Sequence, residues 1–335
     1  MNPELPWLET PWRRLAAQQA QDRLPHALMI SGLPGMGKSV LAAALARLLL
    51  CQTPVSRDGV PAPCGQCEGC SLMAAGTHPD FRRLTVPEGK QQIPVDAVRG
   101  LIEFVGLSSQ YRGARVALVE PADALNAASA NALLKTLEEP PPDAVLILVS
   151  SRPSRLPVTI RSRCQRVHLS PPPADQVRDW LQASHPGLEA ERIGELLAMA
   201  HGAPLAAAAL LEEGVLDLRQ ALFDDLFGVL RGHLAVSVFS SRYEKHYDAR
   251  LLGWIADWLH DLAALAQAEA PPRLRAPDRS GDLRRLASAL DLKEIFALHR
   301  QVQEALRLFG QVAVNPQLAL ESLLVAWRAA LDIKR

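Results

Sequence analysis

The stretch "GLPGMGKS", residues Gly32–Ser39, decides the fold class because it matches the pattern G-x-x-x-x-G-K-[ST] at every fixed position. Glycines at this spacing let the backbone curl so that its N–H groups face a phosphate chain. The lysine then reaches the β- and γ-phosphates, and the hydroxyl ligates Mg²⁺. The run "ALMISG" before the loop predicts a buried strand, and "SVLAAALARLLLCQ" after it predicts a helix whose N-terminal end favours anions. The sequence therefore predicts a nucleotide site made by Gly32, Gly35, Gly37, Lys38 and Ser39.

Strand-like and helix-like segments alternate through the first half of the chain. The apolar runs "ARVALVE", "AVLILVSS" and "CQRVHLS" predict strands, and "VDAVRGLIEFV" and "NAASANALLKTLEE" predict helices. This alternation is typical of a mainly parallel α/β sheet flanked by helices. After "SPPPAD" the strand signal stops, and only a Pro/Arg-rich interruption at 270–286 breaks the helical pattern. We therefore expect an α/β domain at 1–168, a small helical domain at 169–213 and an all-helical domain at 214–335.

Composition and charge exclude several classes of protein. The 335 residues carry 36 Lys and Arg against 36 Asp and Glu, so no overall positive field drives non-specific binding to nucleic acid. No apolar run reaches the length of a membrane span, and the first twenty residues contain no signal-peptide core. The sequence predicts a cytoplasmic protein that does not bind a membrane. Its five cysteines do not form the framework of a secreted disulfide protein.

Four of the cysteines follow the spacing C-x12-C-x2-C-x2-C, namely Cys51, Cys64, Cys67 and Cys70. Four thiolates can close a tetrahedron around zinc with no open position, which predicts a structural zinc module at about 51–70. Reduced thiols without a metal remain the alternative. The intervening "QTPVSRDGVPAP" is expected to be a flexible excursion. We expect His78 to be a turn residue, and Cys164 is too distant in sequence to join the cluster.

The carboxylates of a nucleotide hydrolase are incomplete in this sequence. In such enzymes a second strand ends in an Asp that helps to hold Mg²⁺, and many place a water-orienting Glu after it. Here "VALVEPADALN" places Glu120 and Pro121 at these positions. Glu120 can still face Mg²⁺, although it is one methylene longer, whereas Pro121 cannot polarise water. Asp123 is expected to cap the following helix. The sequence therefore predicts ATP binding with a broken hydrolytic site.

Together, "GLPGMGKS", the cysteine cluster, "GTHPDF", "VDAVR", "NALLKTLEEPP" and "LPVTIRSRCQRVHL" resemble the bacterial AAA+ clamp-loader subunits of DNA polymerase III. The resemblance is strong over residues 25–169 and extends to the rest of the chain in architecture. It implies an α/β P-loop AAA+ domain with a zinc module, then a small helical lid domain and an all-α C-terminal collar through which subunits oligomerise.

The resemblance also implies roles for single residues. Arg163 in "SRC" corresponds to an arginine that clamp-loader subunits offer in trans to the ATP of a neighbour, and the sensor-1 position falls at Ser150 or Ser151. The sensor-2 arginine of the motor subunits is replaced by Leu205, and the segment before the first strand, which in motors helps to form the adenine pocket, is short. These departures imply a non-motor ring subunit that binds ATP and Mg²⁺ at most without hydrolysis.

The partners implied by the resemblance are the gamma and tau ATPase subunits, the delta subunit, the sliding clamp, and primed-template DNA threaded through the assembled ring. Arg99 and Arg112 are candidate DNA contacts in the α/β domain. A second basic group is expected to be a solvated loop of the collar, and its members are Arg273, Arg275, Arg279, Arg284 and Arg285.

Two other functions stay open on the sequence. The chain could be an active ATPase motor subunit of the same family, against which Pro121 and Leu205 argue. It could also be an unrelated P-loop phosphotransferase with a zinc insert, but the sequence shows neither a catalytic base nor a substrate pocket for one. An absolute requirement for partner subunits would separate the clamp-loader function from this last alternative.

Overall fold

The computed structural model describes residues 5–111, 113–271, 274–309 and 315–332. Arg112 and Arg273, two of the basic residues selected from the sequence, lie outside the described residues. The chain forms two compact units, Met1–Trp180 and Leu181–Arg335. The three-part division expected from the sequence stays a prediction.

The first unit is an α/β structure. Its strands are β1 Ala27–Gly32, β2 Val55–Arg57, β3 Val60–Ala62, β4 Phe81–Leu84, β5 Arg115–Val119, β6 Ala144–Ser150 and β7 Gln165–Leu169. Its helices are α1 Glu9–Ala20, α2 Lys38–Leu49, α3 Glu68–Ala75, α4 Val95–Gly106, α5 Ala127–Glu138, α6 Val158–Arg161 and, across the division between the units, α7 Ala174–Ser184. Five strands form one parallel sheet in the order β4-β5-β6-β1-β7, and β2 pairs with β3 in an antiparallel hairpin.

The centre of the parallel sheet is covered on both faces. Every residue of β1, β5 and β6 is buried, as parallel strands between two layers of helices require. β1 lies between β6 and β7, with Ile30 aligned to Val149 and to Val167. Because all five strands run in one direction, Gly32 at the end of β1 and Glu120 after β5 lie at the same edge of the sheet.

The edge strand β4 is not predicted from the sequence. It reads "FRRL" and has no buried residue, so it lacks the apolar run that marks the central strands. It forms because β5 presents an unpaired edge, to which Phe81 and Leu84 align at Val116 and Val119. Two adjacent arginines at a sheet edge also discourage pairing with another chain.

A buried ion pair joins the beginnings of β4 and β5. Nη2 of Arg115 lies 3.1 Å from Oδ1 of Asp80, and both side chains are almost fully buried. Arg115 also donates to the carbonyl oxygens of Phe104 and Ser108, and its guanidinium lies over the Phe104 ring. The Asp80 carboxylate accepts further hydrogen bonds from the Ser109 hydroxyl and from the backbone N–H groups of Gln110 and Tyr111. Each charge is therefore compensated only while the other is present.

We expect Asp80→Asn to lower the free energy of unfolding of the first unit by about 3–5 kcal/mol, because Arg115 then stays buried without its counter-charge. The control is Asp96→Asn, which breaks an exposed pair with Arg99 and should shift the unfolding midpoint far less. Urea denaturation followed by tryptophan fluorescence measures both midpoints. Equal midpoints for the two variants would contradict the importance assigned to the buried pair.

The described residues of the second unit form helices joined by turns, without strands. Its helices are α8 Ala190–Met199, α9 Pro204–Glu212, α10 Val215–Leu230, α11 Val236–Tyr243, α12 Ala249–Gln267, α13 Ser280–Ala287, α14 Leu292–Leu308 and α15 Pro316–Asp332. α12 packs against α13 and α14, and α15 packs against α10, α11 and α14. Trp258 of α12 meets Phe223 of α10 edge to face at 4.9 Å, which places α12 at the centre of this core.

The basic group of the Pro/Arg-rich interruption is not a solvated loop, so this expectation is wrong. Part of the interruption forms α13. Two arginines that precede α13 pair with carboxylates of neighbouring helices. Arg275 donates to Asp257 at 2.7 Å, and Arg279 donates to Asp224 at 3.0 Å. The other two described arginines stay exposed. Arg284 donates to the Glu269 carbonyl, and Arg285 donates to the Asp282 carboxylate. The carboxylates of α10 and α12 are far away in sequence, which is why the pattern of charges alone does not predict the pairing.

In the described part of the chain, no single helix is both long enough and apolar enough to cross a bilayer. One pair of helices, α8 and α9, meets the requirement together on length and composition only, and the pair is bent by 112°.

Candidate nucleotide site and metal centre

The P-loop connects the end of β1 to the start of α2. Gly35 and Gly37 have φ angles of 77° and 83°, a region that residues with a Cβ rarely adopt. Gly32 lies so close to β7 that a Cβ there would come within 2.5 Å of the Leu169 carbonyl oxygen. The backbone path therefore requires the three glycines that the sequence singles out.

Lys38 begins α2, and its side chain turns back into the loop. It is buried, and Nζ donates to the carbonyl oxygen of Leu33 at 2.7 Å. Burial lowers the pKa of Lys38, and the nearby carboxylates of Asp123 and Glu120 oppose this shift. Because the ammonium stands at a helix N-terminus inside a curl of backbone, it can exchange the Leu33 carbonyl for a phosphate oxygen.

Glu120 reaches the P-loop from the end of β5. Its Oε1 accepts a hydrogen bond from the Ser39 hydroxyl, and its Oε2 accepts one from Nη2 of Arg83 at 2.7 Å. The structure thus brings together Ser39 and Glu120, the two residues that the sequence selects as neighbours of Mg²⁺. Arg83 is not selected from the sequence, because it lies on the unpredicted strand β4. Pro121 follows through a cis peptide bond and adds no polar group.

The prediction that Asp123 caps the next helix is wrong. The N-cap of α5 is Asn126, because a short 3-10 turn intervenes between Asp123 and the helix. Asp123 instead accepts hydrogen bonds from the Ser150 hydroxyl at 2.7 Å and from the Ser151 N–H at 3.0 Å. Burial opposes the ionisation of Asp123, but these hydrogen bonds outweigh it and lower the pKa. Asp123 is therefore joined to Ser150 and Ser151, and the sensor-1 role expected for one of these serines stays a prediction.

The short segment before β1 covers part of the P-loop, which the sequence does not predict. The indole N–H of Trp7 donates to the Met36 carbonyl at 3.0 Å. Leu5 and Leu8 lie against Gly37, where a Cβ would come within 2.9 Å of Leu5. Beside Trp7, a cavity of about 240 Å³ opens between α1 and the end of β7. The aromatic and apolar residues Leu5, Trp7 and Leu8 make these contacts with the loop.

Arg163 lies just beyond α6 and is held by its own chain. Nη1 donates to the Thr159 carbonyl at 2.9 Å, and Nη2 forms an ion pair with Glu138 at the end of α5. About a third of the side chain is exposed. Within the described residues its partners do not belong to the P-loop, so Arg163 is not used at the nucleotide site of this chain. Leu205 lies in the first turn of α9 and carries no charge, and its assignment to the sensor-2 position stays a prediction.

The four clustered cysteines come together around one point. Their Sγ atoms all lie within 4.8 Å of one another, and none of them forms a disulfide. Backbone N–H groups are directed at the sulfurs, for example from Cys64 to Cys51 at 3.3 Å and from Cys70 to Cys67 at 3.4 Å. Hydrogen bonds of this kind favour thiolates, the form that binds metal. The cluster could therefore hold a metal ion in a closed shell of four sulfurs.

The segment between the first two cysteines is ordered, so the expected flexible excursion is wrong. It forms the β2–β3 hairpin, with Asp58 and Gly59 at φ angles of 50° and 75°. Two consecutive residues with positive φ are characteristic of the tightest hairpin turn. Val60 and Ala62 are buried, and β3 packs against α1. The hairpin is too short and too rich in proline to be read from the sequence, but packing on α1 stabilises it.

The other candidate ligands lie outside the cluster. Burial raises the pKa of Cys164 to about 11. Within the cluster, by contrast, the pKa of Cys64 is lowered to about 5, mainly by a hydrogen bond from the Thr53 hydroxyl. Cys164 belongs to the apolar core of the sheet. His78 is buried in the turn before β4, where Nδ1 accepts the backbone N–H of Asp80 at 3.1 Å. Neither residue joins the four thiols.

Known families and proteins are similar to this chain along most of its length. The family model described as "DNA polymerase III, delta subunit" matches residues 7–173, and "DNA polymerase III, delta subunit, C terminal" matches 213–329. DNA polymerase III subunit delta' of Pseudomonas aeruginosa is 36% identical over 96% of this chain and 96% of its own length. The Escherichia coli subunit is 35% identical over 96% of this chain and 94% of its own length. The chain belongs to the delta' family of DNA polymerase III subunits.

Membership in the delta' family confirms the resemblance to clamp-loader subunits, and with it a role in DNA replication. The predicted fold, a parallel sheet flanked by helices with a P-loop after its first strand and followed by a helical region, is confirmed by the structure. Among solved structures, a gamma subunit-related protein of Thermotoga maritima aligns over 97% of this chain and 99% of its own, at 19% identity and a TM-score of 0.43.

Arg99 lies exposed on α4 and pairs with Asp96, and its contact with DNA stays a prediction.

We expect the purified chain to carry about one metal ion, and Cys67→Ser to lose it and to lower the melting temperature, because three sulfurs no longer close the shell. Cys164→Ala is the matched control, since this cysteine lies in the sheet core, and it should keep the metal. Elemental analysis combined with thermal denaturation tests both variants. A metal content unchanged by Cys67→Ser would contradict the site.

Proposed function

We propose that this chain is a non-motor subunit of the DNA polymerase III clamp loader, which holds nucleotide without hydrolysing it and activates the ATP of a neighbouring subunit. The observation that carries the proposal is Pro121, which stands beside an assembled Ser39–Glu120 pair. The loop has the groups that bind phosphate, but the position of the water-orienting acid holds a side chain that can neither accept nor donate a proton.

Asp123, which lies two residues after Pro121, offers no substitute for the missing acid. Asp123 is ionised and accepts hydrogen bonds from Ser150 and Ser151, so its use as a base would require that these bonds break. The alternative, an active motor subunit of the same family, is favoured by the placement of Glu120 on Ser39. It would need a water-orienting group that the described residues do not supply at this edge of the sheet.

Arg163 is the residue proposed to act in trans. Its contacts with Thr159 and Glu138 hold the guanidinium away from its own P-loop and leave part of it accessible. An arginine that a neighbour inserts into a nucleotide site stabilises the charge that develops on the transferred phosphoryl group. Exchange of the Glu138 carboxylate for a phosphate would retain one charge-assisted pairing for Arg163.

The proposed cofactors are one structural Zn²⁺ at the four cysteines and ATP at the P-loop. Zinc is favoured over other ions because a set of four thiolates with no open position is typical of structural zinc sites. The proposed partners are the gamma or tau ATPase subunits, the delta subunit, the sliding clamp and primed-template DNA. The helical second unit is the proposed surface for assembly with the other subunits, and its apolar helix faces suit such contacts.

For the isolated chain, we expect labelled ATP to bind without release of phosphate. Lys38→Ala should weaken binding by roughly tenfold or more, because a charged hydrogen bond to phosphate is lost. Equilibrium binding and phosphate release are measured in the same sample. Turnover that disappears in Lys38→Ala would contradict the non-motor proposal and favour the motor alternative.

In the assembled loader, we expect Arg163→Ala to slow ATP hydrolysis at the neighbouring site by about a thousandfold or more, the order expected when an arginine finger is removed. Single-turnover measurements with primed DNA separate the slowed site from the others. Arg155→Ala, an exposed arginine in the turn before α6, is the control and should leave the rate unchanged. Assembly should also stay intact, because the Arg163–Glu138 pair is only partly buried. Equal rates for the two variants would exclude the role in trans.

A further inference from the structure

Arg83 is hydrogen-bonded to Glu120, the carboxylate that would face a nucleotide-bound Mg²⁺. Its Nη2 lies 2.7 Å from Oε2 of Glu120, while Oε1 of the same carboxylate accepts the Ser39 hydroxyl. Glu120 is 14% exposed and Arg83 is 52% exposed, so the guanidinium closes the carboxylate from the solvent side. A single carboxylate therefore links a P-loop hydroxyl to an arginine of the edge strand.

The register of the sheet places Arg83 beside Glu120. β4 and β5 are parallel neighbours with Leu84 aligned to Val119, and the N–H of Glu120 donates to the Leu84 carbonyl at 2.9 Å. The carboxyl end of β4 is thereby fixed beside the carboxyl end of β5. Arg83 is long enough to reach the mouth of the P-loop from there. The hydrogen bond of the Arg83 side chain within the described residues is to Glu120.

Mg²⁺ would meet two obstacles at this position. The ion keeps a rigid octahedral shell of oxygen atoms and usually binds through one or two carboxylates together with phosphate oxygens. Here the charge of Glu120 is already paired with Arg83, and the guanidinium repels a second cation. Arginine itself binds phosphate well, since its planar fork presents several N–H donors and it is always protonated.

We propose that the Arg83 guanidinium takes the place of Mg²⁺ at this P-loop, so that a nucleoside triphosphate is neutralised by Lys38 and Arg83 and binds without a divalent cation. This inference rests on the proposed binding of nucleotide by the loop. It also gives a reason, besides Pro121, why the bound nucleotide is not hydrolysed, because the metal that neutralises the transferring phosphoryl group is lacking.

The test measures the binding of a fluorescent ATP analogue to the full-length chain in excess Mg²⁺ and in EDTA. For the wild type, the two dissociation constants should agree within about twofold, since Arg83 supplies the charge in both buffers. In Arg83→Gln, which keeps a polar side chain but removes the charge, binding in EDTA should be weaker than in Mg²⁺ by about tenfold or more. Arg83→Ala repeats the test, and the metal content at the four cysteines reports whether each variant is folded.

The matched control is Arg82→Gln, on the same strand. Arg82 donates to the Gly100 carbonyl at 2.8 Å and does not contact Glu120, so this variant should bind nucleotide independently of Mg²⁺, like the wild type. A second readout replaces Mg²⁺ with Mn²⁺. Electron paramagnetic resonance should detect nucleotide-dependent Mn²⁺ binding in Arg83→Gln but not in the wild type.

The outcomes separate this inference from the proposed function. If wild-type binding requires Mg²⁺, or if Arg83→Gln and Arg82→Gln depend on Mg²⁺ to the same degree, Arg83 does not replace the ion, and nucleotide binding by the loop still stands. If no nucleotide binds to any of the proteins in either buffer, nucleotide binding by the loop is excluded and this inference with it. None of these results bears on Arg163, whose role is measured by hydrolysis at the neighbouring subunit.

Discussion

Parallel pairing of the five sheet strands is the constraint on which the nucleotide site depends. All five carboxyl ends lie at one edge, so Gly32, Glu120 and Ser150 meet there although they are far apart in sequence. The burial of β1, β5 and β6 on both faces makes this arrangement rigid, since a change of register would move apolar side chains away from the helices that cover them. Phosphate-binding groups attached to such an edge keep their positions without a ligand.

The two carboxylates at this edge have separate partners. Glu120 joins the P-loop through Ser39, and Asp123 joins the end of β6 through Ser150. Pro121 stands between them and contributes no polar side chain. Both carboxylates accept hydrogen bonds from protein groups, which hold their orientation. These contacts support the proposed function, in which the loop binds phosphate and Pro121 leaves the water-orienting position without an acid.

The cysteine module is connected to the ion pair that organises the start of the sheet. The Tyr111 hydroxyl donates to Glu68 at the beginning of α3, while the Tyr111 N–H donates to Asp80. His78, beside Asp80, packs its ring near that of Tyr111. A metal ion bound by the four sulfurs would fix α3 and, through these contacts, the loop between α4 and β5. The module can thus stabilise the first unit without taking part in chemistry.

The sequence by itself determined the P-loop, four of the five sheet strands, the four clustered thiols and the family, because each depends on residues close together in the chain or on a continuous apolar run. Tertiary structure alone decided the positions of β4 and the hairpin, whose segments are too short and too polar to be recognised before a neighbour pairs with them. It also decided the partners of charged groups. Asp123 binds Ser150 and not the next helix, and Arg83 binds Glu120 across 37 residues. The reason is that hydrogen bonds and ion pairs form between groups that the sheet brings close in space. The number of residues between two such groups does not predict how close they lie.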